Sequence, residues 1–341
     1  MFKIIVTGGS GFIGSHFIDL CLQNGHRVLN IDNLSLNQIN PFHTKNKKNL
    51  KFAKIDIKNY KSTFNYIKKF KPNYIFNFAA ATHVDRSIIK PKEFIETNYI
   101  GVFNILECIK RIDKKIIFIQ ISTDEVFGSL SIKSNKNFNE KSLYKPNNPY
   151  SQSKAAANLL INSYTNTYGL KTVITYCSNN FGERQYLEKF LPLTIYNFLN
   201  NKKMSIYGNG KNIREWVYVK NHCIGLYKII KYVDKMKSEN FNLRFFFGSE
   251  NRFTNIQICR LIFKIIKNNS DNFKNNILFI NDRPGHDQKY SINSSKTIEL
   301  LGDFNKYNFF KSINQTVLYY KKNLNKINEV YRNDKWFNRY I

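Results

Sequence analysis

Near the start of the chain a short apolar run, residues 3–6, passes directly into Thr7-Gly8-Gly9-Ser10-Gly11-Phe12-Ile13-Gly14 and then into a helical stretch. Few sequence features restrict a fold more tightly. Glycine at 8, 11 and 14 lets a strand turn sharply into a helix, lets the backbone approach a bound pyrophosphate, and lets the helix pack on the sheet. The helix N-terminus then offers free N–H groups to the phosphates. The second apolar run ends at Asp32, eighteen residues beyond Gly14, where a carboxylate can bind an adenosine ribose. An acid there repels a 2′-phosphate, so the pattern predicts NAD in preference to NADP. Glycines alone would be a weak signal; strand, turn, helix and acid in sequence form a specific one.

The first half continues the same alternation. Strands are expected at 3–6, 27–31, 51–55, 74–78, 115–122 and 172–177, with helices at 12–24, 61–70, 97–111 and 151–168 between them. Such βαβ repetition predicts an α/β protein with a doubly wound parallel sheet, and ligands bound beyond the carboxyl ends of its strands. Past Cys177 the elements shorten and Pro, Gly and Asn punctuate them. The division expected is therefore residues 1–178 as the dinucleotide lobe and 179–341 as a smaller α/β substrate lobe. Segments 216–219 and 244–247 are expected to return to the first lobe, and 37–49, 133–148 and 268–276 read as solvated connections.

Composition narrows the partners. The chain has 341 residues, 42% of them hydrophobic, enough for a substantial core and against a disordered or fibrous chain. Lys and Arg number 53 against 24 Asp and Glu, a net charge of +29. The lysines are spread over nearly every surface element and travel with Asn and Ile, so no specific nucleic-acid partner is expected. Five scattered cysteines with no CxxC pair argue against a disulfide framework or a metal site. With no span of eighteen apolar residues and no signal-peptide pattern, the expectation is a cytoplasmic protein without a membrane partner.

The spacing GxxGxxG resembles the extended short-chain dehydrogenase/reductase superfamily, which implies a Rossmann-type sheet and a Tyr-x-x-x-Lys signature. Tyr150 and Lys154 fit, although the same spacing occurs at Tyr207/Lys211, Tyr227/Lys231, Tyr307/Lys311 and Tyr331/Lys335. Only Tyr150 opens a helix after the fifth βα unit, where one turn stacks Lys154 beside it; the other four read as surface or core tyrosines. An ammonium there, with nicotinamide nearby, is expected to lower the phenol pKa so that it can take a hydroxyl proton. The fifth strand runs into Thr123-Asp124-Glu125. Elsewhere such a triplet is a polar turn. At the carboxyl edge of the sheet, two adjacent carboxylates exceed what hydride transfer needs and suit an elimination, with one acid and one base.

With these residues in view the chain resembles the dTDP-glucose 4,6-dehydratase family over nearly its whole length. The matching stretches are TGGSGFIGSH (7–16), AAATHVDRSI (79–88), FIETNYIGVFNILE (94–107), ISTDEVFG (121–128), NPYSQSKAAA (148–157), YCSNNFGERQYLEKFLPL (176–193), IYGNGKNIREWVYVKNH (206–222) and NDRPGHDQKYSIN (281–293). Related epimerases and decarboxylases place a small residue at position 124. The resemblance implies that NAD takes hydride from sugar C4 as Tyr150 removes the O4 proton, with Thr123 holding O4. Glu125 then takes the C5 proton, Asp124 protonates the departing C6 hydroxyl, and hydride returns to C6, yielding a 4-keto-6-deoxy sugar for deoxysugar synthesis. Gly8, Gly11, Phe12, Ile13, Gly14, Asp32, Asn33, Asp56, Ile57, Ala79, Ala81, Asn98, Tyr150, Lys154 and Asn180 are implied at the cofactor. His83, Thr123, Asn179, Glu188, Lys189, Arg214, Asn251, Arg283 and His286 are implied at the nucleotide sugar, and Asp85 in ordering its loop.

The substrate implied is dTDP-glucose, with UDP-glucose, or a 4-epimerase or decarboxylase reaction of the same fold, as alternatives. A non-catalytic NAD sensor or a basic nucleic-acid binder would leave Asp124, Glu125, Tyr150 and Lys154 without a use. A homodimer is implied through the helices beginning near Thr97 and Tyr150. The chain departs from the family pattern at Thr82 (usually Glu or Gln), Phe127 (Tyr), Glu183 and Leu187 (Pro), Glu215 (Asp) and Arg252 (Glu). None of these touches the Thr-Asp-Glu or Tyr-Lys sets; they bear on which base is preferred.

Overall fold

A computed structural model describes residues 1–35, 48–236, 241–267 and 272–331. Parts of two expected connections, 36–47 and 268–271, lie outside the described residues, as does Lys335. Strands β1 (Lys3–Thr7), β2 (Arg27–Asp32), β3 (Leu50–Lys54), β4 (Tyr74–Asn77), β5 (Ile117–Thr123) and β6 (Thr172–Cys177) follow the expected order. After them come β7 (Asn179–Phe181), β8 (Met204–Tyr207), β9 (Ile213–Tyr218), β10 (Asn242–Phe247), β11 (Arg252–Thr254) and β12 (Ile277–Ile280). Among the described residues, seven strands form one sheet in the order β10-β6-β5-β4-β1-β2-β3, every neighbouring pair parallel.

Parallel strands buried on both faces need apolar side chains in both directions, which is why β4 and β6 are buried throughout while the edge strand β3 is not. Alternation sends Ile4 and Val6 into the core on one face, with Phe17 of α1 (Phe12–Gln23). Ile5 turns to the other face and the core that contains Ile105. Helices α2 (Tyr60–Phe70), α3 (Val84–Ile89) and α4 (Pro91–Ile95) follow, then α5 (Gly101–Ile112) and α6 (Pro149–Tyr168). The helix expected over 97–111 is one α-helix only from Gly101. Residues Glu96–Ile100 form a π-turn, in which buried Asn98 turns its amide to the backbone N–H and C=O of Ala81 at 2.9 and 3.0 Å.

Helix α6 is fixed at its start by a capping box between Asn148 and Ser151, with Pro149 in the first turn, and stops at Gly169 in the left-handed region. That cap sets the position of Tyr150. Of the two segments expected to return to the first lobe, 244–247 does so within β10, beside β6. Segment 216–219 spans the end of β9, which pairs with β7 and β11 in a separate three-stranded sheet, and the first residue of the helix Val219–Lys235, which packs on α1. Strands β8 and β12 make a further parallel pair.

Candidate active site

Strand order reverses between β1 and β4, whose next neighbours lie on opposite sides, so the loops leaving them part and open a crevice. A cavity of about 610 Å³ occupies it, walled by residues that leave the carboxyl ends of β1, β2, β4, β5 and β6. Gly8 sits at φ +66, and a Cβ there would lie 2.6 Å from the Ala79 nitrogen; a Cβ on Gly14 would lie 2.5 Å from the Gly8 carbonyl. Only glycine lets this turn close. It leaves the first turn of α1 with no side-chain cap and no acidic residue, so its N–H groups are available to an anion. At the tip of β2, Asp32 accepts from the Ser10 and Leu34 N–H groups at 2.9 and 2.8 Å, while burial holds its carboxyl above the usual range.

The expected cofactor residues Gly8, Gly11, Phe12, Ile13, Gly14, Asp32, Asn33, Asp56, Ile57, Ala79, Ala81, Tyr150, Lys154 and Asn180 all line this cavity. Asn98 does not; its amide is engaged by Ala81 and by the Ser153 hydroxyl, so it shapes the wall from behind. Thr123, Asp124, Glu125, Tyr150 and Lys154 meet on the same wall. Their proximity follows from topology: β5 delivers the triplet, and the first turns of α6 bring the phenol and the amine.

Thr123 ends β5 and caps the short 3₁₀ turn Asp124–Phe127, its Oγ1 accepting from the Glu125 N–H at 3.3 Å. Asp124 is 2% exposed. Its Oδ2 accepts from the Ser178 hydroxyl at 2.8 Å and its Oδ1 from Thr123 at 3.3 Å. Burial, and after it the charge of Glu125, push the Asp124 carboxyl up to about 8. Burial raises Glu125 as well, opposed by Arg283 and Lys189. Glu125 Oε2 is buried with no hydrogen-bond partner among the described residues. The pair thus contains one carboxyl that keeps its proton at neutral pH and one oxygen with unused acceptor capacity.

The Tyr150–Lys154 pair differs from the expectation. Lys154 donates to the Ile121 carbonyl at 2.7 Å, and burial lowers its amine to about 7. The Tyr150 phenol is raised, first by burial and then by Glu125, with Thr123 partly offsetting them through a hydrogen bond. An amine already committed to a carbonyl does not by itself lower a phenol that is buried and faces two carboxyls.

Of the expected substrate residues, His83, Thr123, Asn179, Glu188 and Lys189 line the cavity, whereas Arg214, Asn251, Arg283 and His286 do not. Arg214 donates to the Asp287 carbonyl at 2.9 Å and lies 4.4 Å from the Tyr290 ring centroid. Arg283 pairs with Asp85 at 3.0 Å, and His286 with Asp282 at 2.6 Å. Asn251 is turned to its own loop, donating to Ser249. His83 is neutral, its imidazole lowered to about 3 by burial and by Lys189, and its Nε2 lies 3.4 Å from the Glu188 carbonyl. Asp85 also accepts from Tyr207 at 3.0 Å, tying its loop to the second half of the chain.

Two departures from the family pattern are partners here: Glu215, fully buried, accepts from the Ser249, Glu250 and Ile292 N–H groups and lies 3.7 Å from Arg252 Nε. Sequence reasoning missed Ser178, Arg86, which pairs with Glu188 at 2.7 Å, and Tyr331, a cavity-wall residue at the end of the helix Leu324–Tyr331. Ser178 adjoins the Asn179-Asn180 pair and was within reach of motif reasoning. Tyr331 carried no signal beyond a fortuitous Tyr-x-x-x-Lys spacing.

The family model for GDP-mannose 4,6 dehydratase matches residues 5–316. The chain is 36% identical over 346 residues to a dTDP-glucose 4,6-dehydratase of Escherichia coli, covering 94% of each chain. A solved dTDP-glucose 4,6-dehydratase from Streptomyces venezuelae, with NAD and TYD bound, superposes with a TM-score of 0.85 at 30% identity, covering 95% of this chain and 98% of that one. A UDP-glucose 4-epimerase of Thermotoga maritima, with UDP-glucose, reaches 0.82 at 26% identity, covering 94% and 99%. Shape alone therefore does not separate dehydratase from epimerase.

Proposed function

Since the chain belongs to the dTDP-glucose 4,6-dehydratase family of extended short-chain dehydrogenases/reductases, we propose that Thr123, Asp124, Glu125, Tyr150 and Lys154 carry out the water elimination in its cleft. The protein is an NAD-dependent hydro-lyase that dehydrates dTDP-glucose to the 4-keto-6-deoxy sugar nucleotide for deoxysugar synthesis. The cleft fits NAD on its own terms: a turn too tight for any Cβ, an uncapped helix N-terminus, and the Asp32 carboxylate at the next strand tip. When bound, NAD supplies a hydride acceptor, then a hydride donor, and in its oxidised form a positive charge. The remaining work falls to side chains. Tyr150 takes the O4 proton, with Thr123 holding O4. Glu125 takes the C5 proton through its unsatisfied oxygen. Asp124, neutral until about pH 8, gives its proton to the C6 hydroxyl, which departs as water.

The observation that carries this reading is the contrast between those two neighbouring carboxyls in one buried pocket. An epimerase would have no use for Asp124. Replacing it tests the assignment: Asp124→Asn should still oxidise C4, seen as cofactor absorbance at 340 nm, while product falls by at least about 100-fold. A variant that forms product at the wild-type rate would remove Asp124 from the chemistry.

Lys189, Arg214 and Arg283 all exert their charge on Glu125, which supports placing the substrate diphosphate on that side of the cleft. His83, Asn179, Glu188, Asn251 and His286 complete the proposed sugar-nucleotide set. The division at 178/179 into cofactor and substrate lobes is part of the same reading, with β10 returning across it. A homodimer is supported by Ile100, Phe103 and Leu159, large apolar side chains left exposed on the π-turn, α5 and α6. No helix among the described residues is long and apolar enough to cross a membrane. Five unpaired, buried cysteines suit a cytoplasmic location.

A further inference from the structure

Ser178 stands between β6 and β7, 54 residues from Asp124, and is 3% exposed. Its main chain is held on two sides. The N–H donates to the Phe247 carbonyl at the end of β10 at 3.3 Å, and the carbonyl accepts from the Asn180 side chain at 3.1 Å. The hydroxyl is thereby aimed at Asp124 Oδ2, 2.8 Å away. A serine has one proton to donate. Given to Oδ2 at 2.8 Å, it makes that oxygen the acceptor; the longer 3.3 Å contact at Oδ1 leaves that oxygen to carry the proton of a neutral Asp124, with the Thr123 hydroxyl turned to accept it.

We propose that Ser178 is a positioning residue for the acid step: it directs the Asp124 proton to the Oδ1 side and stabilises the carboxylate left when that proton departs. This rests on the dehydratase reading. In the elimination the C5–H bond breaks, its proton goes to Glu125, and its electron pair becomes the C5–C6 double bond. The C6–O bond breaks, and the oxygen leaves as water with the proton from Asp124. Asp124 ends ionised, so the Ser178 hydrogen bond becomes charge-assisted only as the proton moves. An interaction that strengthens along one step accelerates that step and no other. Other groups act on the same carboxyl: Glu125 beside it, Glu215 and Arg214 from β9, Cys177 at the end of β6 and Tyr150 from α6. Ser178 is the one that donates a side-chain hydrogen bond across to Oδ2.

The experiment compares wild type, Ser178→Ala and Ser178→Thr as full-length protein with NAD and dTDP-glucose. Three readouts are followed: product, the 340 nm absorbance of reduced cofactor during turnover, and the pH dependence of kcat. Ser178→Ala should lose about ten- to hundredfold in kcat, with KM little changed. It should accumulate reduced cofactor that wild type does not, because C4 oxidation now outruns elimination. Its alkaline limb should move upward by about one unit, since the bond that favoured the ionised acid is gone. Ser178→Thr, which keeps the hydroxyl, should recover both features. If Ser178→Ala fails to fold, Ser178→Cys fills the site with a weaker donor and carries the same expectations. Equal losses in all steps, with no reduced cofactor and an unmoved limb, would overturn the proposal. A wild-type protein that releases no water would instead overturn the reading beneath it.

Discussion

Asp124 and Glu125 are adjacent in sequence and unlike in circumstance. Asp124 is enclosed, hydrogen-bonded at both oxygens, and holds its proton to about pH 8; Glu125 retains an unsatisfied oxygen. In the proposed elimination the protonated acid is the active form, so kcat/KM should fall as pH rises through about 8, and a pH–rate profile measures it directly. An alkaline limb below pH 7 would contradict this assignment. Tyr150→Phe should lower kcat by roughly 10²- to 10⁴-fold while leaving NAD affinity within a few-fold, measured by fluorescence titration. These residues were legible in the sequence because each lies one or two positions from a strand end or helix start, where topology alone sends side chains to the crevice. Arg214, Arg283 and His286 were not so constrained. Long side chains choose among neighbours wherever they start, Arg214 on β9 and Arg283 and His286 on a loop, and theirs are the Asp287 carbonyl, Asp85 and Asp282.

At the scale of elements, the turn from β1 into α1 and the start of α6 set the site. A methyl group on Gly14 would meet the Gly8 carbonyl at 2.5 Å. Gly14→Ala should therefore open the turn and weaken NAD binding at least tenfold with the helical circular dichroism retained; unaltered affinity would show that the turn does not carry the phosphates. Asn148→Ala removes one half of the capping box on α6 and should cost about 1 kcal/mol in urea unfolding. The interior strands of the first half were readable because parallel strands covered on both faces are rich in apolar residues, unlike the edge strand β3. Strands β7, β8, β11 and β12 are three or four residues long, too short for a periodicity to register, and partners distant in sequence decide their pairing. The π-turn at Glu96–Ile100 also escaped notice, since it answers to the contact between Asn98 and Ala81.

At the scale of the molecule, one sheet joins the two halves, because β10 from the second half pairs with β6 of the first. The cleft therefore has a continuous floor, with Arg86–Glu188 linking its walls and Asp85–Arg283 tying the two halves beside it. The apolar face of the π-turn, α5 and α6 yields a prediction of its own. Leu159, 57% exposed on α6, should be covered in a dimer, so Leu159→Glu should give monomers by light scattering while wild type gives dimers. A wild-type monomer would contradict the assembly without touching the chemistry. The chemistry itself is tested most directly by mass spectrometry of dTDP-glucose incubated with the protein in deuterated water. The expected product is lighter by one water and carries solvent deuterium at C5. A sugar nucleotide of unchanged composition, inverted at C4, would contradict it.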